Sequence, residues 1–272
     1  MSGPTRRLDV ELVARSLARS RGQARELVKA GSVLLDGSPA KKVSTLVGAD
    51  QNLELAAGVE GWVSRAAYKL AAALGSFGED GLRAADKRCF DVGACTGGFT
   101  QVLLREGARE VVALDVGHGQ LAKEIAGDPR VTERSGVNIR DARADDLGGP
   151  ADLLVADLSF ISLRLVLPVL RDLVEPSGDL VFLVKPQFEV GRERLGKGGV
   201  VRSARNRAMV IEEVVAAATA VGLNAKALLA SPIRGATGNA EYLLWLTRRP
   251  GEGLTTAQVT ELAANLSTEA PT

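Results

Sequence analysis

Little in this sequence could hold a metal, staple a fold or cross a membrane. It has two cysteines, Cys89 and Cys95, and one histidine, His118. Two cysteines cannot build a disulfide framework, and without CxxC or a Cys/His cluster neither zinc nor iron–sulfur chemistry is supported, so no metal is expected. The longest apolar stretch, Val214 to Val221, falls far short of the roughly 18 residues a membrane span needs. The N-terminus is charged and has no apolar core, which is not a signal-peptide pattern, and the cytoplasm is the expected location. Lys plus Arg number 34 against 33 for Asp plus Glu, so no acidic tail or histone-like excess dominates. Internal repeats and low-complexity segments are lacking too.

What is present suits two unequal domains, since 272 residues exceed the roughly 150 of an average one. Charge is unevenly placed. Residues 1 to 45 hold nine basic side chains against four acids, and the remainder is mildly acidic, a moderate nucleic-acid signature. In this head Asp9 can cap a helix carrying Val10, Val13 and Leu17, with Arg15 and Arg19 on another face. Ser20 and Gln23 form a capping box for a second helix, which Ala30-Gly31 ends. Val33-Leu34-Leu35, Asp36-Gly37 and Lys41-Lys42-Val43 then read as strand, tight turn and return strand.

After Leu55 the run Ala-Ala-Gly-Val-Glu-Gly reads as a linker, and Ser64 to Leu74 as a helix. From Arg88 apolar strands alternate with helices: Cys89 to Val92, Glu110 to Asp115, Leu153 to Asp157, Asp179 to Val184, Lys226 to Ala230 and Tyr242 to Thr247. Such alternation implies an α/β, doubly wound parallel sheet covered on both faces. The expected organisation is a head over 1–57, a linker over 58–64, a large domain over 65–250 and a polar tail over 251–272.

The first strand of the large domain runs into Asp91, Val92, Gly93, Ala94, Cys95, Thr96, Gly97, Gly98, Phe99 and Thr100, and the second ends at Asp115. A glycine-rich turn entering a helix, with an acid closing the next strand, is a nucleotide-site layout in which glycines let the backbone approach a ligand and the acid suits a ribose diol. Three readings stay open on this loop alone: a plain turn, a dinucleotide site lacking GxGxxG, and an S-adenosylmethionine site. Asp157 and Lys185 close two later strands, where a doubly wound sheet borders its ligand crevice. A structural salt bridge is the alternative there. Lys69 and Glu241 would complete two acids and two bases.

The segments Trp-Val-Ser-Arg-Ala-Ala-Tyr-Lys69-Leu, Asp-Val-Gly-Ala-Cys-Thr-Gly-Gly-Phe-Thr, Val-Ala-Asp157-Leu-Ser-Phe-Ile-Ser, Leu-Val-Lys185-Pro-Gln-Phe-Glu and Gly-Asn-Ala-Glu241-Tyr together resemble the TlyA family of ribosomal RNA 2′-O-methyltransferases. The resemblance implies a Rossmann-like class I methyltransferase domain of FtsJ type behind a small N-terminal alpha-L RNA-binding domain. It also implies a Lys-Asp-Lys-Glu tetrad falling on Lys69, Asp157, Lys185 and Glu241, S-adenosylmethionine as donor and S-adenosylhomocysteine as product. The expected substrate is cytidine in ribosomal RNA, met free or in ribosomal subunits, by a chain that is monomeric without an obligate protein partner. Donor contacts are expected from Asp91, the loop from Gly93 to Thr100, Asp115, Asn138 and Asp157. Three positions depart from the family pattern: Val59-Glu60-Gly61 precedes Trp62 where Arg-x is usual, Cys95 replaces serine, and His118 replaces tyrosine.

Transfer from a sulfonium needs no metal or covalent intermediate, so the difficulty lies in deprotonating a ribose hydroxyl. A lysine of pKa about 10.4 is protonated at pH 7; a second lysine about 4 Å away would oppose its charge by roughly 4 kcal/mol at a dielectric of 20. Lys185 is the expected general base, Asp157 and Glu241 place it, and Lys69 is the tuning cation. Arg6, Arg7, Arg15, Arg19, Arg25 and Lys41 are the expected RNA contacts, with Arg65 beside Lys69 a further candidate. The alternatives are a non-catalytic RNA-binding or assembly factor and a nicotinamide oxidoreductase.

Overall fold

The computed structural model describes residues 5–18, 20–29, 31–56, 61–251 and 253–269. The chain forms two units, Met1–Gly61 and Trp62–Thr272, each with its own core.

In the small unit β1 (Arg6–Arg7) leads directly into α1 (Leu8–Ala14), and α2 (Arg21–Lys29) follows. Four short strands come next: β2 (Val33–Leu35), β3 (Ser38–Pro39), β4 (Leu46–Val47) and β5 (Leu53–Leu55). Leu8, Leu12, Ala24, Val28, Val33 and Val47 form the core. The turn between β2 and β3 has Asp36 at φ 50° and Gly37 at φ 77°, the left-handed pair whose twist suits a two-residue hairpin. Ser20 does cap α2, its hydroxyl accepting the Gln23 amide at 3.2 Å.

Two expectations for the head are corrected. Asp9 is not a cap: α1 begins one residue earlier, and Asp9, fully buried in its first turn, holds Arg7 and Arg21. Lys41–Val43 is not a strand either. The three residues of β2 are already matched once Ala40 bonds Val33, and the other edge of β2 is taken by β5.

The large unit begins with α3 (Ala66–Phe77), then alternates: β6 (Arg88–Val92), α4 (Gly98–Arg105), β7 (Glu110–Asp115), α5 (Lys123–Ala126), β8 (Val131–Ser135), β9 (Ala151–Ala156), α6 (Leu163–Asp172) and β10 (Val174–Val184). It closes with α7 (Pro186–Glu189), α8 (Ala204–Ala220), β11 (Asn224–Ala230), β12 (Tyr242–Thr247) and α9 (Thr256–Glu269). The strands make one seven-stranded sheet in the order β11-β12-β10-β9-β6-β7-β8. Phe90, Leu154, Phe182 and Leu244 face one apolar layer with α6, α8 and α9; Cys89, Val155, Val181 and Trp245 face the other with α3 and α4.

The sheet is mixed, not wholly parallel: β12 runs antiparallel to both β10 and β11. No helix separates β11 from β12, so the chain returns directly and must reverse. β8, an edge strand reading Val-Thr-Glu-Arg-Ser, was not among the expected strands because it lacks an apolar run. Of the expected linker over 58–64, Trp62 and Val63 are buried, Trp62 within the α3 layer; residues 58–60 lie outside those described. The polar tail is instead largely α9, whose Val259, Ala263 and Ser267 recur at four-residue spacing and are buried, packing on α8 and β11.

Candidate active site

Strand parity assembles the site. Side chains alternate between the faces of a sheet. Cys89 on β6, Leu153 and Val155 on β9, Val181 and Leu183 on β10, and Leu243 and Trp245 on β12 all face the α3 layer. Asp91, Asp157, Lys185 and Glu241 continue those same phases. The register pairs Leu183 with Leu243 and Val184 with Tyr242, so one step further Lys185 comes opposite Glu241. Because β12 is reversed, its first residues reach the edge where the parallel strands end. Lys69 descends from α3 toward them.

The four side chains form one chain of alternating charge. Lys69 Nζ lies 2.6 Å from Glu241 Oε2 and 3.6 Å from Asp157 Oδ2, and Lys185 Nζ lies 2.6 Å from Asp157 Oδ1. Lys185 also donates to Ser159 Oγ at 2.9 Å, and Gln187 Nε2 donates to Glu241 Oε1 at 3.3 Å. Lys69, Lys185 and Glu241 are each under 9% exposed. The like-charge contact expected between the lysines is interrupted: the group facing each ammonium is a carboxylate.

Beside this chain, residues Gly93 to Thr96, Phe99, Ser64, Arg65, Asp157, Ser159 and Lys185 line a cavity of about 290 Å³. A second, narrow cleft shares Ala94 and Cys95 and is walled by Asp115, Gln120, Leu121 and Ser135. The glycines also answer to the protein's own packing. A Cβ on Gly93 would come 2.9 Å from the Asp157 carbonyl oxygen, one on Gly97 2.9 Å from Leu121, and one on Gly98 would overlap Ser64. Gly93 and Gly97 also have φ of 84° and 89°, a conformation that favours glycine. They let the loop sit against its own protein, while Ala94, Cys95 and Thr96 present the loop to the cavities.

The acids of the loop behave differently from one another. Asp115 accepts the Cys95 amide at 2.8 Å and the Gly117 amide at 2.7 Å, which fixes the loop against β7. Asp91 is buried; its Oδ2 accepts the Thr100 hydroxyl at 2.6 Å, the Thr100 amide also favours its charged form, and its Oδ1 has no partner among the described residues. Burial pushes its pKa up to about 7, the Thr100 bond opposing and Asp157 and Asp115 adding to the rise. Asn138 lines neither cavity; its Oδ1 accepts the Arg140 amide at 3.1 Å. Cys95 is exposed, and burial raises the Cys89 thiol to about 12.

Ser64, Ser159 and Gln187 are site residues that residue-type reasoning passed over. Each lies within two residues of Trp62, Asp157 or Lys185, so the signal was adjacency within the same motifs.

Of the expected RNA contacts, Arg19 lies outside the described residues. Arg7 and Arg25, both about half exposed, lie 3.0 and 3.8 Å from Asp9. Arg21, not among those expected, joins them at 2.9 Å. Arg6 is exposed, 3.9 Å from Glu11, and Lys41 is exposed. Arg15 is the exception. It donates to Glu11 at 2.8 Å and to the carbonyls of Gln51, Gly48 and Ala49 at 2.7, 3.0 and 3.3 Å, so its guanidinium holds α1 to the loop before β5. Arg65 lines the large cavity and donates to the Arg234 carbonyl at 3.1 Å.

A sheet of this order with its second strand from one edge reversed, a glycine loop after β6 and an acid ending β7 is that of a Rossmann-like class I methyltransferase. Residues 62–248 match the FtsJ-like methyltransferase family and residues 6–53 the S4 domain. The chain belongs to the TlyA family of FtsJ-like, S-adenosylmethionine-dependent methyltransferases. It is 46% identical over 266 residues to the 16S/23S rRNA (cytidine-2′-O)-methyltransferase TlyA of Mycobacterium tuberculosis, covering 97% of this chain and 98% of that one. Hemolysin A of Brachyspira hyodysenteriae is 34% identical over 87% of this chain and 98% of its own. A solved structure from Streptococcus thermophilus, described as a hemolysin, superposes with TM-score 0.76 at 37% identity, covering 98% and 97% of the two chains.

Proposed function

We propose that this protein transfers a methyl group from S-adenosylmethionine to the ribose 2′-hydroxyl of a cytidine in ribosomal RNA, releasing S-adenosylhomocysteine. The observation that carries this reading is the chain of alternating charge Glu241–Lys69–Asp157–Lys185, whose Asp157 and Lys185 end lines the loop cavity. No described helix is long and apolar enough to cross a membrane. The proposed place of action is the cytoplasm, with ribosomal RNA or its subunits as partner.

The loop residues fit the donor. Ala94, Cys95 and Thr96 face both or one of the cavities, Asp115 stands at the narrow one, and the unpartnered Oδ1 of Asp91 lies behind them as an acceptor. When bound, S-adenosylmethionine supplies a methyl already activated on a cationic sulfonium that leaves as a neutral thioether. What remains for the protein is to place the hydroxyl and take its proton. Lys185 is the base: its Nζ is fixed from two sides by Asp157 and Ser159, leaving its third direction for the ribose. A lysine accepts a proton only when neutral, and its two remaining N–H bonds are then directed by Asp157 and Ser159. Lys185 Nζ would take the hydroxyl proton as the 2′-oxygen received the methyl group that the bound donor supplies. Lys69 and Glu241 hold Asp157 in place from the other side. General-base help of this kind contributes about 10² to 10⁴ in rate. In the head, Arg6, Arg7, Arg21, Arg25 and Lys41 offer positive charge to phosphates.

The test is Lys185→Ala. Methyl transfer from labelled donor to ribosomal RNA should be lost while calorimetry finds donor affinity changed no more than a few-fold. Retention of most of the transfer activity at pH 7 overturns the assignment.

A further inference from the structure

Asp157 and Lys185 sit at the ends of adjacent parallel strands, and beyond them the two chains part. One runs through residues 158–162 into α6; the other turns at once into α7. The first of these loops carries Ser159, which receives Lys185 Nζ, and Phe160, whose φ is 63°. Its far end is not capped by its own residue: Ser162, at the N-cap of α6, makes no side-chain cap bond to the helix. The cap comes from α7. Glu189 Oε1 accepts the Leu163 amide at 2.6 Å, and its Oε2 accepts the Ser162 hydroxyl at 2.5 Å. Arg164 Nη2 donates to the Glu189 carbonyl at 2.8 Å, its Nε lies 3.3 Å from Oε2, and its Nη1 reaches Glu213 at 2.8 Å. The Glu189 side chain is 2% exposed, so its bonds to Leu163 and Ser162 are not readily replaced by water.

We infer that Glu189 is a positioning residue of the methyl-transfer site, a carboxylate that ties the loop bearing Ser159 to the helix following Lys185 and so fixes the lysine's aim. The inference rests on the reading proposed above. The carboxylate favours this place for two reasons: it meets the unsatisfied amides of a helix start, and it lies at the positive end of the α6 dipole. Charge-assisted bonds to a buried acceptor are the stronger kind. With Glu189 removed, the buried Leu163 amide loses its partner, the first turn of α6 is released, and the five-residue loop keeps only its Asp157 end. Ser159 then no longer restrains Lys185, although neither Asp157 nor the glycine loop has been touched.

The experiment is single-turnover methyl transfer by the full chain to ribosomal RNA lacking the modification, run well below the melting temperature. Glu189→Ala should slow transfer about tenfold to a hundredfold, the scale of a small misplacement at a reacting centre, while donor affinity by calorimetry stays within a few-fold. Glu189→Gln should largely restore the rate, because its carbonyl can take the Leu163 amide and its amino group can donate to Ser162. Ser159→Ala should slow transfer by itself, and the double variant with Glu189→Ala should be little slower than the worse single one, since both act on Lys185 through one contact. Glu189→Asp keeps the charge but shortens the reach; if the alanine variant does not fold, a loss of rate in the aspartate variant supports the role and an unchanged rate overturns it. A lower melting temperature with an unchanged rate makes Glu189 a helix cap and nothing more, and multiplying effects of the two alanine variants likewise overturn the positioning role. Wild-type chain in the same assay separates the failures: no transfer from wild type overturns the methyltransferase reading itself.

Discussion

Each unit of the molecule buries a carboxylate, and the two behave in opposite ways. Asp9 of the head has no exposed surface, yet the Arg7 hydrogen bond, aided by Arg21 against the cost of burial, holds its pKa down to about 2. Asp91 of the large unit has only uncharged partners, the hydroxyl and amide of Thr100, and burial pushes it up to about 7. Guanidinium partners favour the charged form of Asp9, whereas the uncharged partners of Asp91 do not outweigh its burial. The difference also separates two uses of ionic groups. In the head three arginines share one acid, so positive charge is left over and faces outward, as binding a polyanion requires. In the crevice two lysines and two acids alternate and leave little net charge, which suits the placing of one nucleophile.

That contrast can be broken at either end. The largest effect is expected in the crevice: Asp157→Asn removes the charge between the lysines and should reduce transfer by about 10²-fold or more, measured with labelled donor, with donor affinity tracked in parallel. In the head, replacing Arg21, Arg25 and Lys41 by glutamine leaves Arg7 on Asp9 but removes outward charge. RNA affinity should fall and its log–log salt slope should drop by about 2, at about 0.7 per lost phosphate contact; an unchanged slope in a filter-binding titration would move the RNA surface elsewhere. Arg15→Gln sharpens the contrast, since this guanidinium bonds protein carbonyls. It should lower the melting temperature of the head and leave the salt slope as it was. The smallest effect concerns pH. Between its ordinary 3.8 and about 7, folded Asp91 keeps a proton that the unfolded chain releases, so the unliganded protein loses stability as pH rises through that window. Asp91→Asn should flatten that part of a melting-temperature profile. For Asp9 the sign is reversed: its contribution is present above 3.8 and fades as pH falls toward about 2.

Much of the large unit was legible because apolar runs bounded by glycines and acids are strong local signals. Six strands, the glycine loop and the helix before it could be located from such runs. β8 was missed because an edge strand with Thr132, Glu133 and Arg134 exposes too much of itself to need an apolar pattern. The α9 helix was passed over for a related reason: its buried stripe of Val259, Ala263 and Ser267 uses small or polar residues, a weak signal beside the polar positions between them. Arg15 shows the limit for charged side chains. Residue type marks a guanidinium as available, and only the fold shows which carbonyls have taken it.

The sequence by itself determined the composition of the site. Asp91, Asp157, Lys185 and Glu241 each stand where an apolar strand begins or ends, and alternation along each strand already commits their side chains to a face. What tertiary structure alone decided was their convergence. It depends on the reversal of β12, which carries Glu241 to the edge where β9 and β10 end, and on the packing of α3, which brings Lys69 within 2.6 Å of Glu241. Pairing between strands and the seating of a helix on a sheet join residues as far apart in sequence as 69 and 241. No local pattern encodes such distances, because they are set by how the whole apolar interior is filled.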